Sequence, residues 1–234
     1  IPTSLFCDPA LELSGIPSST DGRNPLPTLP LLARAFRRWG LNTDREVVVY
    51  DQGRGLYASR AWWILRWAGV PNVRILDGGF RRWEDQNLGH AGGPGNFPHF
   101  CNIRPNPGQM PTATIDEVKA HTGLLIDARD PDRFAGRREL LDLKAGHIPG
   151  AVNVPARSLL NEDFTFKTPE QMREVFAAVG VTGGEGAIVY SGSGNHSAQV
   201  LAAMEHAGLP GAAHYVGGWS QWSANPKNPV ERSE

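Results

Sequence analysis

The stretch Val189-Tyr190-Ser191-Gly192-Ser193-Gly194-Asn195-His196-Ser197 decides how this chain folds. Val189-Tyr190 ends a short apolar run suited to a buried strand. Two glycines within three residues then let the backbone curl, and a helical pattern opens near Ser197. Strand, glycine-rich loop and helix in that order point successive N–H groups into a small bowl, reinforced by the positive end of the helix. Position 191 is rooted at the centre of that bowl.

An earlier stretch repeats the layout. Val48-Val49-Tyr50-Asp51-Gln52-Gly53 leads into a helical run, then Ala68-Gly69-Val70-Pro71, a short apolar strand and Asp77-Gly78-Gly79-Phe80-Arg81-Arg82-Trp83. Ile188-Val189-Tyr190-Ser191-Gly192-Ser193 leads into Ala207-Gly208-Leu209-Pro210, a strand and Val216-Gly217-Gly218-Trp219-Ser220-Gln221-Trp222. The copies lie 140 residues apart before the loop and 139 after it, so the loops differ by one residue. A period this long is duplication of a whole module, not a short solenoid repeat.

Within the second copy, strands and helices alternate. Thr114 with Glu117 forms a capping-box signature, Leu124-Leu125-Ile126-Asp127 reads as a buried strand, and Ala151-Val152-Asn153-Val154 as another after the turn Gly146 to Gly150. Thr168-Pro169 starts a further helix that Gly180 closes. The pattern predicts an α/β fold of two tandem modules, each a mainly parallel sheet flanked by helices. Ligands in such folds bind beyond the carboxyl ends of the strands, where residues 191 to 196 fall. The division expected is a first, non-catalytic module over 1–88, a Gly/Pro/Asn-rich linker over 89–111 and a second, catalytic-type module over 112–234. Ile1-Pro2 lines up with Ile148-Pro149, so roughly thirty-five residues of module one have no counterpart. The first module therefore reads as N-terminally truncated.

Composition narrows the function classes. Apolar content of 40% and charged content of 20% suit a globular protein, and a net charge of -1 gives no general pull toward nucleic acid or anionic membrane. No apolar run reaches the ~20 residues that span a bilayer, and no signal peptide is visible; the expected location is cytoplasmic, with the true N-terminus not seen and removal of an export signal left open. Two cysteines, Cys7 and Cys101, make no disulfide framework and fit no zinc spacing; each reads as a small buried apolar residue. The seven histidines show no H-E-x-x-H or i, i+4 pair, so a metal site is not expected.

The loop's field lowers the pKa of a thiol and holds a thiolate or persulfide. A serine hydroxyl gains far less, because serine nucleophiles need a positioned histidine and the sequence places no base beside Ser191. The order is also not that of a Gly-x-Ser-x-Gly hydrolase elbow.

Over essentially its whole length the chain resembles the tandem-domain rhodanese family of thiosulfate and 3-mercaptopyruvate sulfurtransferases. Gly146-His147-Ile148-Pro149-Gly150-Ala151-Val152-Asn153, Asp127-Ala128-Arg129, Gly217-Gly218-Trp219-x-x-Trp222 and the segment from Val47 to Trp83 carry the resemblance. It implies a catalytic cysteine at the position of Ser191, an active-site loop of Gly192, Ser193, Gly194, Asn195 and His196, and a degenerate first module with Asp51 at the matching point. It also implies substrate-binding arginines at Arg129 and Arg133, at the pocket rim; the alternative for them is a surface ion pair with Asp130 or Asp132. Gly192-Ser193-Gly194 tilts toward mercaptopyruvate, whereas Asn195-His196-Ser197 departs from the commoner valine, threonine, alanine. Asp8 and Asn24 stand near where that branch keeps an Asp and a His that assist the loop serine; Asn24 breaks the pattern. His196 either meets substrate or caps the helix, and Trp219 and Trp222 belong to packing.

The chemistry implied is transfer of a sulfane sulfur from a small anionic donor to cyanide or a thiol through a persulfide, without metal or cofactor, nucleic acid or membrane. With Ser191 the chain is expected to bind the anion but not to turn over. Ser191 is then either a replacement of a native cysteine or the mark of a natural pseudo-enzyme acting as an anion-binding or interaction module. A phosphatase would need arginine six positions after the nucleophile, where Ser197 stands.

Overall fold

The computed structural model describes residues 1–93, 95 and 100–233. Its contacts divide the chain into two units: residues 1–15, 26–110 and 162–165 form one, and residues 16–25, 111–161 and 166–234 the other.

In the first unit, α1 (Pro9–Glu12) is capped by Asp8, whose carboxylate accepts the Ala10 and Leu11 N–H groups at 2.9 and 3.3 Å. Helix α2 (Leu29–Trp39) buries Leu32, Ala35 and Phe36 and stops at Gly40, which takes the left-handed conformation that ends helices cheaply. Strand β1 (Val47–Val49), α3 (Leu56–Trp67), β2 (Val73–Ile75) and α4 (Gly79–Asp85) follow, and β1 pairs in parallel with β2. Trp62 and Trp63 are buried, with Trp63 stacked on Trp67 at 6.1 Å. Arg60 is buried on the same helix and donates to the Leu13 carbonyl at 3.1 Å; burial pulls its pKa down to about 10.

The second unit holds α5 (Ile115–Ala120), β3 (Leu125–Asp127), α6 (Pro131–Phe134), β4 (Val152–Asn153), α7 (Pro169–Ala177), β5 (Ile188–Tyr190), α8 (Asn195–His206), β6 (Ala213–Tyr215) and α9 (Gly218–Ala224). Both expected helix starts form full capping boxes, Thr114 with Glu117 and Thr168 with Gln171, each typically worth about 1 kcal/mol. The four strands are all parallel in the order β4-β3-β5-β6. Parallel strands joined by helices are buried on both faces, which is why β5 reads as an unbroken apolar run and β3 as an apolar pair ahead of the buried Asp127. Val118, Leu125, Ile148, Ile188, Tyr190, Tyr215, Trp219 and Trp222 pack together as a core, so both tryptophans serve packing. The Tyr190 hydroxyl accepts the Ile148 N–H at 3.1 Å, and burial holds its pKa well above the ordinary value.

Two segments depart from a division read along the chain. Residues 16–25 belong to the second unit because Arg23 N–H donates to Ser220 Oγ at 3.1 Å and the Asn24 amide donates to the Ser193 carbonyl at 3.2 Å. Part of the expected linker is also no loose spacer: Asn106 and Gln109 donate to the Ala68 and Trp67 carbonyls at 2.8 and 3.0 Å, and Ile103 is buried. Residues 94 and 96–99 of that linker lie outside the described residues.

The duplication holds at atomic detail. Phe80 N–H donates to the Asp51 carbonyl at 2.8 Å and Trp219 N–H to the Ser191 carbonyl at 2.7 Å. Arg81 and Ser220 donate in the same way to Gln52 and Gly192. Gly55 and Gly194, both left-handed, precede α3 and α8.

Candidate active site

The two loops hold different groups in the same bowl. In the first, the Asp51 carboxylate accepts four backbone N–H groups, from Gly53 at 2.9 Å, Gly55 at 3.0 Å, Tyr57 at 2.9 Å and Ala58 at 3.3 Å. An anion at the loop's first position is therefore what this backbone shape accommodates. In the second, Ser191 is fully buried, and its Oγ accepts the Gly194 N–H at 3.1 Å.

Ser191 also has neighbours that the sequence did not bring together. Its Oγ lies 3.1 Å from Ser197 Oγ, which lies 2.7 Å from His214 Nε2, and all three residues are buried. The sequence shows no base beside Ser191; the structure sets His214 one residue away, against Ser197. The reason lies in the sheet: Val189 on β5 is in register with His214 on β6, and Ser191 follows Val189 by two residues, on the same face. Ser197, in the first turn of α8, lies between them. A lone histidine in an apolar strand gave no such signal in the sequence.

Arg129 and Arg133 separate in role. Arg129 is only 1% exposed, so the expected rim position is corrected. Its guanidinium grips Asp127 at 2.6 to 3.0 Å, donates to the Gly146 carbonyl at 2.7 Å and lies 4.6 Å over Trp219. Burial works against its charge, but the Asp127 carboxylate outweighs that and raises its pKa. Nor does it pair with Asp130 or Asp132, because the strand end turns it inward.

Arg133 is partly exposed and donates to Glu139 at 2.9 Å and Asp142 at 2.8 Å. Arg23, from the 16–25 segment, pairs with the same Asp142. Both guanidiniums stand over the loop: a methyl group placed on Gly192 would meet Arg23 Nη2 at 2.9 Å and Arg133 Nη1 at 3.3 Å. Glu139 and Asp142 point inward while Leu140, Leu141 and Leu143 of the same segment are exposed. Arg23 escaped the sequence reading because its contact with Asp142 joins segments far apart in the chain; Glu139 and Asp142 lie only six and nine residues from Arg133, but the fold of their loop decides which way they point.

His196 is half-buried as the second residue of α8, with Gly194 in the capping position, so it does not cap the helix. Burial lowers its pKa, with Arg133 adding to the effect and Asp130 and Asp127 opposing it. Asn24 reaches the loop and donates to the Ser193 carbonyl at 3.2 Å. Gly192, Ser193 and Gly194 make the turn into α8, which begins at Asn195 rather than near Ser197. The cysteines lie elsewhere. Cys7 is half-buried with a thiol pushed up to about 12 mainly by burial, and half-buried Cys101 donates to the Ile103 carbonyl at 3.5 Å.

A rhodanese-like domain model matches residues 1–86 and 112–225. The chain belongs to the rhodanese-like family. Among its relatives, a putative thiosulfate sulfurtransferase, SseB, of Mycobacterium tuberculosis is 38% identical over 99% of this chain and 83% of its own length. The 3-mercaptopyruvate sulfurtransferase of Escherichia coli is 36% identical over the same shares. Among solved structures, the 3-mercaptopyruvate sulfurtransferase of Leishmania major superposes with a TM-score of 0.82 at 26% identity, over 94% of this chain and 62% of that one. An EanB variant in complex with ergothioneine gives 0.85 at 25% identity, over 100% of this chain and 60% of that one. This rhodanese-like chain thus spans most of its sequence relatives and about three fifths of those structures. Among the described residues, no helix is long and apolar enough to cross a membrane.

Proposed function

We propose that residues 191 to 196 form the donor site of a thiosulfate or 3-mercaptopyruvate sulfurtransferase whose nucleophile is cysteine at position 191, and that the Ser191 chain binds the donor anion without relaying sulfur. The observation that carries this reading is the Asp51 carboxylate collecting four N–H groups in the sister loop. The same curl in the second unit is suited to a thiolate or persulfide. The names of the relatives support the choice of reaction.

With cysteine present, the thiolate attacks the outer sulfur of thiosulfate, a new S–S bond forms, the donor's S–S bond breaks and sulfite leaves. Cyanide then takes the outer sulfur as thiocyanate and returns the thiolate; a thiol acceptor leaves with the sulfur as its own persulfide. Arg133, partly exposed beside the loop, is placed to meet the donor's negative charge with a planar fork of N–H groups. Arg129 acts through structure, holding the end of β3 against Trp219. Serine supports neither step, since its alkoxide is inaccessible near neutral pH and oxygen does not relay sulfur.

The test is Ser191→Cys, assayed for sulfur transfer to cyanide from both donors. Activity in the cysteine form alone supports the proposal, and the donor ratio assigns the branch. An inactive cysteine form that still binds thiosulfate favours a second reading, an anion-binding module with native serine. That reading has its own observation: the Ser191 hydroxyl is already hydrogen-bonded to Gly194 and set against Ser197.

A further inference from the structure

The geometry points to a second chemistry at the same floor, independent of sulfur: Ser191, linked through Ser197 to His214, is an oxygen nucleophile for small acyl donors with an anionic leaving group, of the acyl phosphate class. Three features bear on it. The first is the chain of contacts itself, Ser191 Oγ to Ser197 Oγ at 3.1 Å and Ser197 Oγ to His214 Nε2 at 2.7 Å, within hydroxyl and imidazole hydrogen-bond reach. The second is the curl of the loop. Here the Gly194 N–H reaches Ser191 Oγ, and the sister loop, one residue longer, gathers four N–H groups onto a carboxylate, as an oxyanion hole gathers them onto a tetrahedral intermediate. The third is the Arg133 guanidinium over Gly192, suited to a leaving phosphate.

The relay runs in one direction during attack. Ser191 Oγ accepts the Gly194 N–H, which leaves its own proton free to pass to Ser197 Oγ. Ser197 passes its proton to Nε2 of His214, in the tautomer that carries hydrogen on Nδ1. As the Ser191 oxygen bonds to the acyl carbon, the carbonyl electrons move to oxygen; on collapse the bond to phosphate breaks and phosphate leaves with the bonding pair. His214 returns its proton through Ser197 to the leaving oxygen. Water then cleaves the acyl-serine by the same relay, giving the free carboxylic acid and restoring Ser191. The hydroxyl is buried in this structure, and the Arg23 side chain, which lies over neighbouring Gly192 with its tip tied to Asp142, is the group proposed to move aside.

The experiment treats the full chain, and its Arg23→Ala variant to uncover the floor, with acetyl phosphate and with neutral p-nitrophenyl acetate, reading the acetylated peptide by mass spectrometry. Acetylation at Ser191 is expected, faster with acetyl phosphate, with that preference lost in Arg133→Ala. His214→Asn and Ser197→Ala should each slow it about a hundredfold, the usual scale of general-base assistance. Ser197→Ala removes a single oxygen, so it remains decisive where His214→Asn fails to fold. No acetyl-Ser191 in either parent or Arg23→Ala, or a rate indifferent to both Ser197 and His214, would overturn the assignment. Neither result bears on sulfur transfer by Ser191→Cys.

Discussion

The N–H of Trp219 donates to the carbonyl of Ser191 at 2.7 Å, so the loop that carries position 191 is held by the helix that closes the module. Gly218 makes this approach possible: at φ +56° a Cβ there would lie 2.2 Å from the Ser191 carbonyl oxygen. Gly218→Ala should lose about 1–3 kcal/mol, more than the left-handed backbone alone costs, because the contact is with main chain that cannot swing away. Gly180→Ala is the comparison, with φ +80° and open space around the added methyl. Urea unfolding of the two variants should rank them in that order.

Asp51 is a built-in anion for the first loop. Asp51→Ala should destabilise the protein by about 1–3 kcal/mol, since several N–H groups lose one shared acceptor. The converse variant, Ser191→Asp, places the same carboxylate in the second loop. Calorimetric titration should then find thiosulfate binding abolished, with thermal stability kept or raised.

Arg129 and Arg133 should part company on substitution. Arg129→Ala leaves the Asp127 carboxylate buried and unpaired, an effect of about 3–5 kcal/mol on the denaturation midpoint. Arg133→Ala leaves Glu139 facing Arg129 and Asp142 facing Arg23, so it should lower stability less. Its signature is weaker thiosulfate binding, read in the same titration.

His196 gives a pH-dependent readout. Burial holds its folded pKa below the unfolded value of about 6.5. The unfolded chain therefore takes up this proton first as pH falls. The contribution to stability is complete above about pH 6.5 and is lost as pH drops through the folded pKa. An anion bound beside Arg133 offsets the positive charge there, so the His196 imidazole should titrate higher in sulfate than in chloride when followed by NMR.

Much of this was legible in order and spacing. The capping boxes at Thr114 and Thr168, the parallel strands and the repeated glycine loop all depend on neighbours a few residues apart, where backbone preference and side-chain hydrogen bonding act locally. The interior place of Arg129 was not legible. Asp127-Ala128-Arg129 suits a surface fork as well as a buried one, and only Trp219, Gly146 and Glu139 closing over it select the second.

The sequence by itself determined the duplicated α/β modules, the loop shape and the absence of a thiol at position 191, because each is written in contiguous residues. Tertiary structure alone decided what surrounds Ser191. Pairing of β5 with β6 sets His214 on the face of Val189 and Ser191, the first turn of α8 puts Ser197 between, and Arg23 arrives from a segment far away in the chain. Those contacts come from sheet register and packing, which join residues that no local pattern links.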